Sequence, residues 1–425
     1  MLSEENKELI NHKIEHNSRR ALSVITWTIA GIVVGLLVGA FASSFGLAMQ
    51  YVIKAREGHP WIIYFLPVGA ILITFMYKHV LKVKDSGTNT VIAAIQSDQR
   101  LPFRLAPLIY VATLITHLVG GSAGREGAAL QMGGAIGNGI GRLLKLNSTD
   151  KKTMIMCGMS AAFSALFGTP MAAAIFSMEV ISVGIMHYAA LVPCVISSLV
   201  ARSVASFMGL HSAEYLIDTI PKLNVKNAVL VCIFAVLCGF VSTLFCTSLH
   251  SYEEFLSKHL TNPYIKGAFG GTSVLVLTLI VGSQTYNSTG SAVIASCFTG
   301  ATIGLGAFLL KIIFTTLTLS CGYKGGEIVP TLFIGATFGA AMGPILGIPQ
   351  SLMAAVGMGA VFCGVTNCPI ASLLICFELF GYEPMPYFLL GVSFSYWVSG
   401  YTGLYKAQKI VYSKYRSNYI DKHVQ

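Results

Sequence analysis

Charge is scarce in this sequence. Asp, Glu, Lys and Arg make up 11% of its 425 residues, less than half of the roughly 25% usual for a soluble domain. With 54% of residues hydrophobic and a mean hydropathy of +0.69, that scarcity excludes both an ordinary soluble fold and a disordered chain. Cysteine pairs are missing too. The ten cysteines form no C-x-x-C and mostly lie in apolar segments, so they read as small buried hydrophobes rather than a disulfide framework or redox centre. There is no H-E-x-x-H and no G-x-x-x-x-G-K-[ST], and the ten His show no metal-ligand spacing. Zinc proteolysis and nucleotide hydrolysis therefore have no support, and neither metal nor cofactor is expected. The first twenty residues, MLSEENKELINHKIEHNSRR, are polar, so no cleavable signal peptide is expected.

What is abundant is glycine, 43 residues, and apolar sequence. Together they describe a polytopic membrane protein in which glycine lets helices approach closely or stop early. The net charge of +10 is distributed between apolar runs, so membrane topology explains it better than a nucleic-acid partner, and none is expected. Residues 1–20 are expected to form a cytoplasmic amphipathic helix, with Arg19 and Arg20 marking the membrane edge. The basic stretch near the C-terminus places that end on the same side. A first transmembrane repeat is assigned to 21–207, a polar connector to 208–226, and a second repeat to 227–402. Many apolar segments fall short of the ~20 residues that span hydrocarbon, and short Gly- or Pro-interrupted segments mark broken helices around a polar cavity.

An internal duplication organises these segments. Gly124-Arg125-Glu126-Gly127 followed by Gly133 to Gly137 has a counterpart in Gly325-Gly326-Glu327-Ile328 followed by Gly335 to Gly339, with Glu126 and Glu327 separated by 201 positions. Gly168-Thr169-Pro170 leading to Glu179 is echoed by Asn367-Cys368-Pro369 leading to Glu378, both prolines and both glutamates 199 apart. Spacing alone leaves open whether the halves are parallel or inverted. Duplicated halves are typical of transporters whose binding sites lie at the repeat interface.

Of the eighteen acidic residues, only Glu126, Glu179, Glu327 and Glu378 lie in apolar surroundings. A carboxylate at membrane depth is expensive and marks function by default. Glu126, in G-S-A-G-R-E-G, would begin a helix whose free N–H groups favour an anion. Its own carboxylate can take the anion's place and swing away when protonated, coupling anion passage to a proton. Glu327 precedes Ile328-Val329-Pro330, where a second broken helix should aim at the same site. Glu179 and Glu378 sit near the far ends of their segments and read as structural. His117 reads as a packing residue, and Phe75, Phe163, Phe176 and Phe333 as packing aromatics. An intramembrane enzyme is a remote alternative, for which Ser122, Ser160 and His117 offer individual side chains.

These motifs, in this order, resemble the CLC family of anion channels and proton-coupled anion antiporters over nearly the whole chain. Gly124-Arg125-Glu126-Gly127 is similar to the family's G-R-E-G-x motif, Gly325 to Pro330 to its G-G-x-F-x-P motif, and Gly168-Thr169-Pro170 with Glu179 to its G-x-P…E stretch. The resemblance implies an all-α polytopic membrane protein of two inverted repeats of broken and tilted helices. It further implies a final inward-dipping helix with a cytoplasmic tail over 403–425, and a homodimer with one pathway per subunit. Glu126 matches the gating glutamate, Tyr405 the central tyrosine and Ser86 the central serine. The implied anion site comprises Ser86, Gly87, Arg125, Gly127, Glu327, Ile328, Val329 and Tyr405, with Glu126 and Glu327 for gating and proton transfer.

The departures point to one branch. Asp85-Ser86-Gly87-Thr88-Asn89-Thr90 stands where chloride types have G-S-G-I-P-E, Glu327 replaces an apolar residue, and Val180 replaces the second glutamate many chloride antiporters use for internal proton transfer. With Ala128 and Glu378-Leu379-Phe380-Gly381, the chain looks like the bacterial fluoride/proton antiporter branch, although that branch often lacks a serine at the position of Ser86. The expected function is proton-coupled fluoride export across the bacterial plasma membrane, with a chloride/proton antiporter or passive anion channel as alternatives.

Overall fold

The computed structural model describes residues 4–81, 86–97, 99, 101–416 and 418–424. Among these described residues, sixteen α-helices fall into two runs of eight. The first comprises α1 (Glu4–Gly58), α2 (Leu66–Met76), α3 (Thr88–Gln96), α4 (Leu105–Leu118), α5 (Glu126–Leu143), α6 (Ser148–Phe167), α7 (Pro170–Glu179) and α8 (Leu191–Phe207). The second comprises α9 (Val225–His259), α10 (Pro263–Val281), α11 (Ser291–Ser296), α12 (Ala307–Ser320), α13 (Ile328–Leu346), α14 (Gln350–Thr366), α15 (Pro369–Phe380) and α16 (Met385–Val398). Among the described residues, six helices are long and apolar enough to cross a membrane, including His16–Gly58, Val225–His259 and Ile328–Leu346, and four apolar helices are shorter.

Local sequence explains where the helices break. α6 and α14 end on Gly168 (φ 79°) and Asn367 (φ 59°), both left-handed, a conformation that suits glycine and that asparagine tolerates. Pro170 and Pro369 then open α7 and α15 at their first positions, where a missing N–H costs nothing. The centre is built by two close pairs, α5 with α6 and α13 with α14, all four largely buried. A Cβ on Gly133 would land on the Gly158 carbonyl, and one on Gly335 on the Gly357 carbonyl. Close backbone contact of this kind is what small residues provide where lipid removes the usual hydrophobic driving force. The same crossing, repeated at matching positions in both halves, is the duplication expressed in three dimensions.

Two ends of the chain differ from the expectation. Residues 4–20 do not form a separate helix: α1 is continuous from Glu4 to Gly58, since no glycine or proline precedes Gly31 to break it. The described residues of 403–425 form no inward-dipping helix. After a buried Leu404-Tyr405 turn, β2 (Lys409–Tyr412) and β3 (Tyr419–His423) make an antiparallel hairpin, and β2 pairs in parallel with β1 (Ser182–Val183), just beyond α7. β-branched and aromatic residues in Lys409-Ile410-Val411-Tyr412 favour an extended strand, and a third strand gives that hairpin the support it needs.

Candidate anion and proton site

The G-R-E-G and G-G-E motifs meet backbone to backbone. The Gly124 N–H donates to the Gly326 carbonyl at 2.6 Å and the Gly326 N–H to the Gly124 carbonyl at 2.7 Å, an isolated antiparallel bridge between the halves. Glu126 is the first residue of α5, and Glu327 immediately precedes α13. Two helix N-termini, each with free N–H groups and the positive end of its dipole, therefore converge on one region. The approach requires glycine. A Cβ on Gly127 would lie 2.7 Å from Gly326 Cα, 3.0 Å from Glu327 Oε2 and 3.3 Å from Thr88 Oγ1.

Glu126 is 1% exposed and folds back on its own helix start. Its Oε2 accepts from the Arg125 backbone N–H at 3.1 Å, and its Oε1 from Arg125 Nε at 3.2 Å. The Arg125 guanidinium also donates to the Leu166 carbonyl at 3.3 Å. This carboxylate lies at the edge of a cavity of about 460 Å³ lined also by Lys54, Tyr215, Val329 and Met358. Glu327 lines a different cavity, of about 600 Å³, together with Ser86, Gly87, Gln131, Lys324 and Lys406.

The expected site residues thus divide into three groups. Arg125, Glu126 and Val329 face the first cavity, and Ser86, Gly87 and Glu327 face the second. Gly127, Ile328 and Tyr405 are buried and line neither. The two carboxylates do not line one cavity as expected but different ones, and the helix starts joined by the Gly124–Gly326 bridge form the barrier beside both. Sequence reading missed Thr88 and Gln131, each 1% exposed and each directed at this barrier. Uncharged polar residues are common in transmembrane helices, and only their position singles these out.

The other named residues hold the frame. Glu179 Oε1 and Oε2 accept from the Ile370 and Ala371 N–H groups at 3.1 and 2.8 Å, and Glu378 does the same for Met171 and Ala172 at 2.9 and 2.8 Å. His117 is fully buried, with Nδ1 2.7 Å from Ser288 Oγ and Nε2 3.4 Å from the Gly124 carbonyl. Gly120-Gly121-Ser122-Ala123-Gly124 does spell G-x-S-x-G, the spacing of a hydrolase nucleophile elbow. The Ser122 hydroxyl, however, pairs with Thr315 Oγ1 at 3.1 Å, and the Ser122 N–H with Thr318 Oγ1 at 3.0 Å. His117 bonds elsewhere, so no serine–base pair forms at this serine.

Comparison with known proteins agrees with this geometry. Residues 68–400 match the family described as voltage gated chloride channel. The chain is 34% identical over 92% of its length to a Chloride/fluoride channel protein of Pseudomonas syringae pv. tomato, covering 88% of that relative. It is 26% identical to a Voltage-gated ClC-type chloride channel ClcB of Escherichia coli, over 76% of this chain and 79% of that one. A crystal structure of a CLC-type fluoride/proton antiporter superposes with a TM-score of 0.88 at 31% identity, covering 90% of this chain and 98% of that one. A slow cyanobacterial Cl-/H+ antiporter shares the fold with a TM-score of 0.77 at 20% identity, covering 88% and 94%. This chain is a multi-pass membrane protein and belongs to the CLC family of anion channels and transporters.

Proposed function

We propose that this CLC-family anion transporter is a proton-coupled fluoride exporter that protects the cell from fluoride. The observation that carries the reading is a second buried-region carboxylate, Glu327, standing at the start of α13 beside Gly127 and across the barrier from Glu126. Two carboxylates at one barrier give protons a stop on each side of it. Val180, at the end of α7, offers no titratable group there. Fluoride is small and strongly hydrated, so its passage requires N–H and O–H donors to replace water, and two helix starts with Tyr405 supply them. The relatives named for fluoride support the same choice.

In this reading the protein works as a homodimer in the bacterial plasma membrane with both termini cytoplasmic, an orientation supported by the basic residues flanking the first and last apolar runs. It is a transporter and not an enzyme. The test is anion release from liposomes containing purified protein, followed with fluoride and chloride electrodes in parallel. Fluoride release well above chloride release, and uphill fluoride movement under an imposed pH gradient, are expected. Chloride release at or above the fluoride rate would instead select a chloride/proton antiporter, and failure of a pH gradient to drive fluoride would select a passive channel.

A further inference from the structure

Three buried side-chain atoms near the barrier have no hydrogen-bond partner among the described residues: Thr88 Oγ1, Gln131 Oε1 and the Tyr405 hydroxyl. All three residues are 1% exposed. A buried polar atom left without a partner costs about 1–3 kcal/mol, so such atoms gathered at one place call for an explanation. They gather around Glu327. Thr88 Oγ1 and Glu327 Oε2 both bear on the same point beside Gly127, at 3.3 and 3.0 Å. Gln131 Nε2 and Glu327 Oε1 both lie 4.0 Å from the point where a Gly87 side chain would begin. Leu404 and Lys406, on either side of Tyr405, line the same cavity as Glu327.

The chemistry of the three atoms is divided. Thr88 and Tyr405 carry O–H groups that donate to an anion. Gln131 is oriented the other way. Its Nε2 donates to the Gly127 carbonyl one turn earlier in α5 at 3.3 Å, and because a carbonyl only accepts, the amide cannot be turned around without losing that bond. Its Oε1, an acceptor, is therefore the atom left open. Ser86, by contrast, is exposed at the second cavity, and its N–H donates to Thr90 Oγ1 at 2.9 Å. Gly87 has φ 68°, and this left-handed turn separates the exposed Ser86 from Thr88, the first residue of α3, which is buried.

Building on the proposed coupled exchange, we propose that Thr88, not Ser86, is the hydroxyl ligand that joins Tyr405 on the anion, and that the Gln131 side-chain carbonyl receives the proton-bearing carboxyl of Glu327. Two donors serve the anion and one acceptor serves the proton, so both exchanged species find groups that the described residues leave open. Linked occupancy follows. An anion at Thr88 and Tyr405 stands close to Glu327, and its negative charge favours the protonated form of that carboxyl. The Gln131 carbonyl holds this form in place.

The experiment combines calorimetric titration of sodium fluoride into purified protein with liposome flux measurements of protons moved per fluoride. Thr88→Val keeps the side-chain shape and removes the hydroxyl, and it should weaken fluoride binding about tenfold or more, the loss expected for a hydrogen bond to a charged group. Thr88→Ser should restore most of that affinity, which a folding defect at this position would not predict. Ser86→Ala should weaken binding less than Thr88→Val does. Gln131→Met should lower the number of protons moved per fluoride. Unchanged binding in Thr88→Val, or an equal or larger loss in Ser86→Ala, overturns the ligand assignment. Unchanged coupling in Gln131→Met overturns the proton assignment. If the parent protein moves chloride and not fluoride, the fluoride reading fails separately. The same variants are then titrated with chloride, where the same order supports the ligand assignment and any other order overturns it.

Discussion

Glu179 and Glu378 each hold the start of the helix that carries the other. Glu179, the last residue of α7, accepts two N–H groups at the start of α15, and Glu378, in the last turn of α15, accepts two at the start of α7. The exchange relates the two halves as inverted copies, locked by four charge-assisted hydrogen bonds. Because Pro170 and Pro369 open both helices, these are the first N–H groups each helix has to offer. Both carboxylates belong to the frame around the barrier, although their burial in apolar sequence makes them look functional.

Replacing either carboxylate tests that reading. Glu179→Gln or Glu378→Gln leaves one acceptor oxygen and turns an amide NH₂ toward a backbone N–H. Each substitution should destabilise the protein by about 1–3 kcal/mol, measured as a lower unfolding temperature in detergent. The ratio of protons to anions moved should stay at the parent value, and a changed ratio would place the residue in the transport path.

Glu126 should behave differently. Its carboxylate is held against the Arg125 N–H and guanidinium at the edge of the first cavity, where it competes with an anion for the helix start. Glu126→Gln carries no charge and cannot pick up or release a proton. Electrode-monitored flux should show exchange abolished or converted to an uncoupled leak, and coupled exchange at the parent rate would remove Glu126 from the mechanism.

Glu327 lies on the other side of the barrier, so its loss should be distinguishable. Glu327→Gln retains the length of the side chain and the anion donors of α13, Tyr405 and Thr88. Proton movement should fall more than anion binding does, compared by pH-driven flux on one hand and calorimetric affinity on the other. Equal losses in both would mean that the carboxylate acts on the anion alone.

What the sequence reveals follows from how rare a feature is. Charge in apolar surroundings is rare, so Glu126, Glu179, Glu327 and Glu378 are conspicuous, and repeated glycine and proline at fixed offsets expose the duplication and the helix breaks. The separation of Glu126 and Glu327 into different cavities is not legible, because it depends on the Gly124–Gly326 backbone pair, a contact between residues about two hundred positions apart. Thr88 and Gln131 escape notice for a related reason. Polar uncharged residues occur throughout such helices, and only the absence of a partner at the barrier distinguishes these two. The C-terminal hairpin is hidden because its strands are stabilised by β1, a two-residue segment with no signal of its own.

That hairpin is fastened through Gln408, which is fully buried. Its Nε2 donates to the Val180 carbonyl beyond α7 and to the Thr366 carbonyl at the end of α14, both at 2.9 Å, and its Oε1 accepts from Asn367 Nδ2 at 3.1 Å. One side chain thereby joins the tail to both halves, three residues after Tyr405. Gln408→Leu fills similar space but leaves two carbonyls and one N–H group without that partner, and at about 1–3 kcal/mol for each buried group left unsatisfied the site cannot keep its geometry without loss. Hydrogen exchange in β2 and β3 should accelerate, and because the Gln408 N–H donates to the Tyr405 carbonyl at 2.9 Å, anion affinity should fall with it. Faster exchange with unchanged affinity would show that the tail is fastened independently of the anion site.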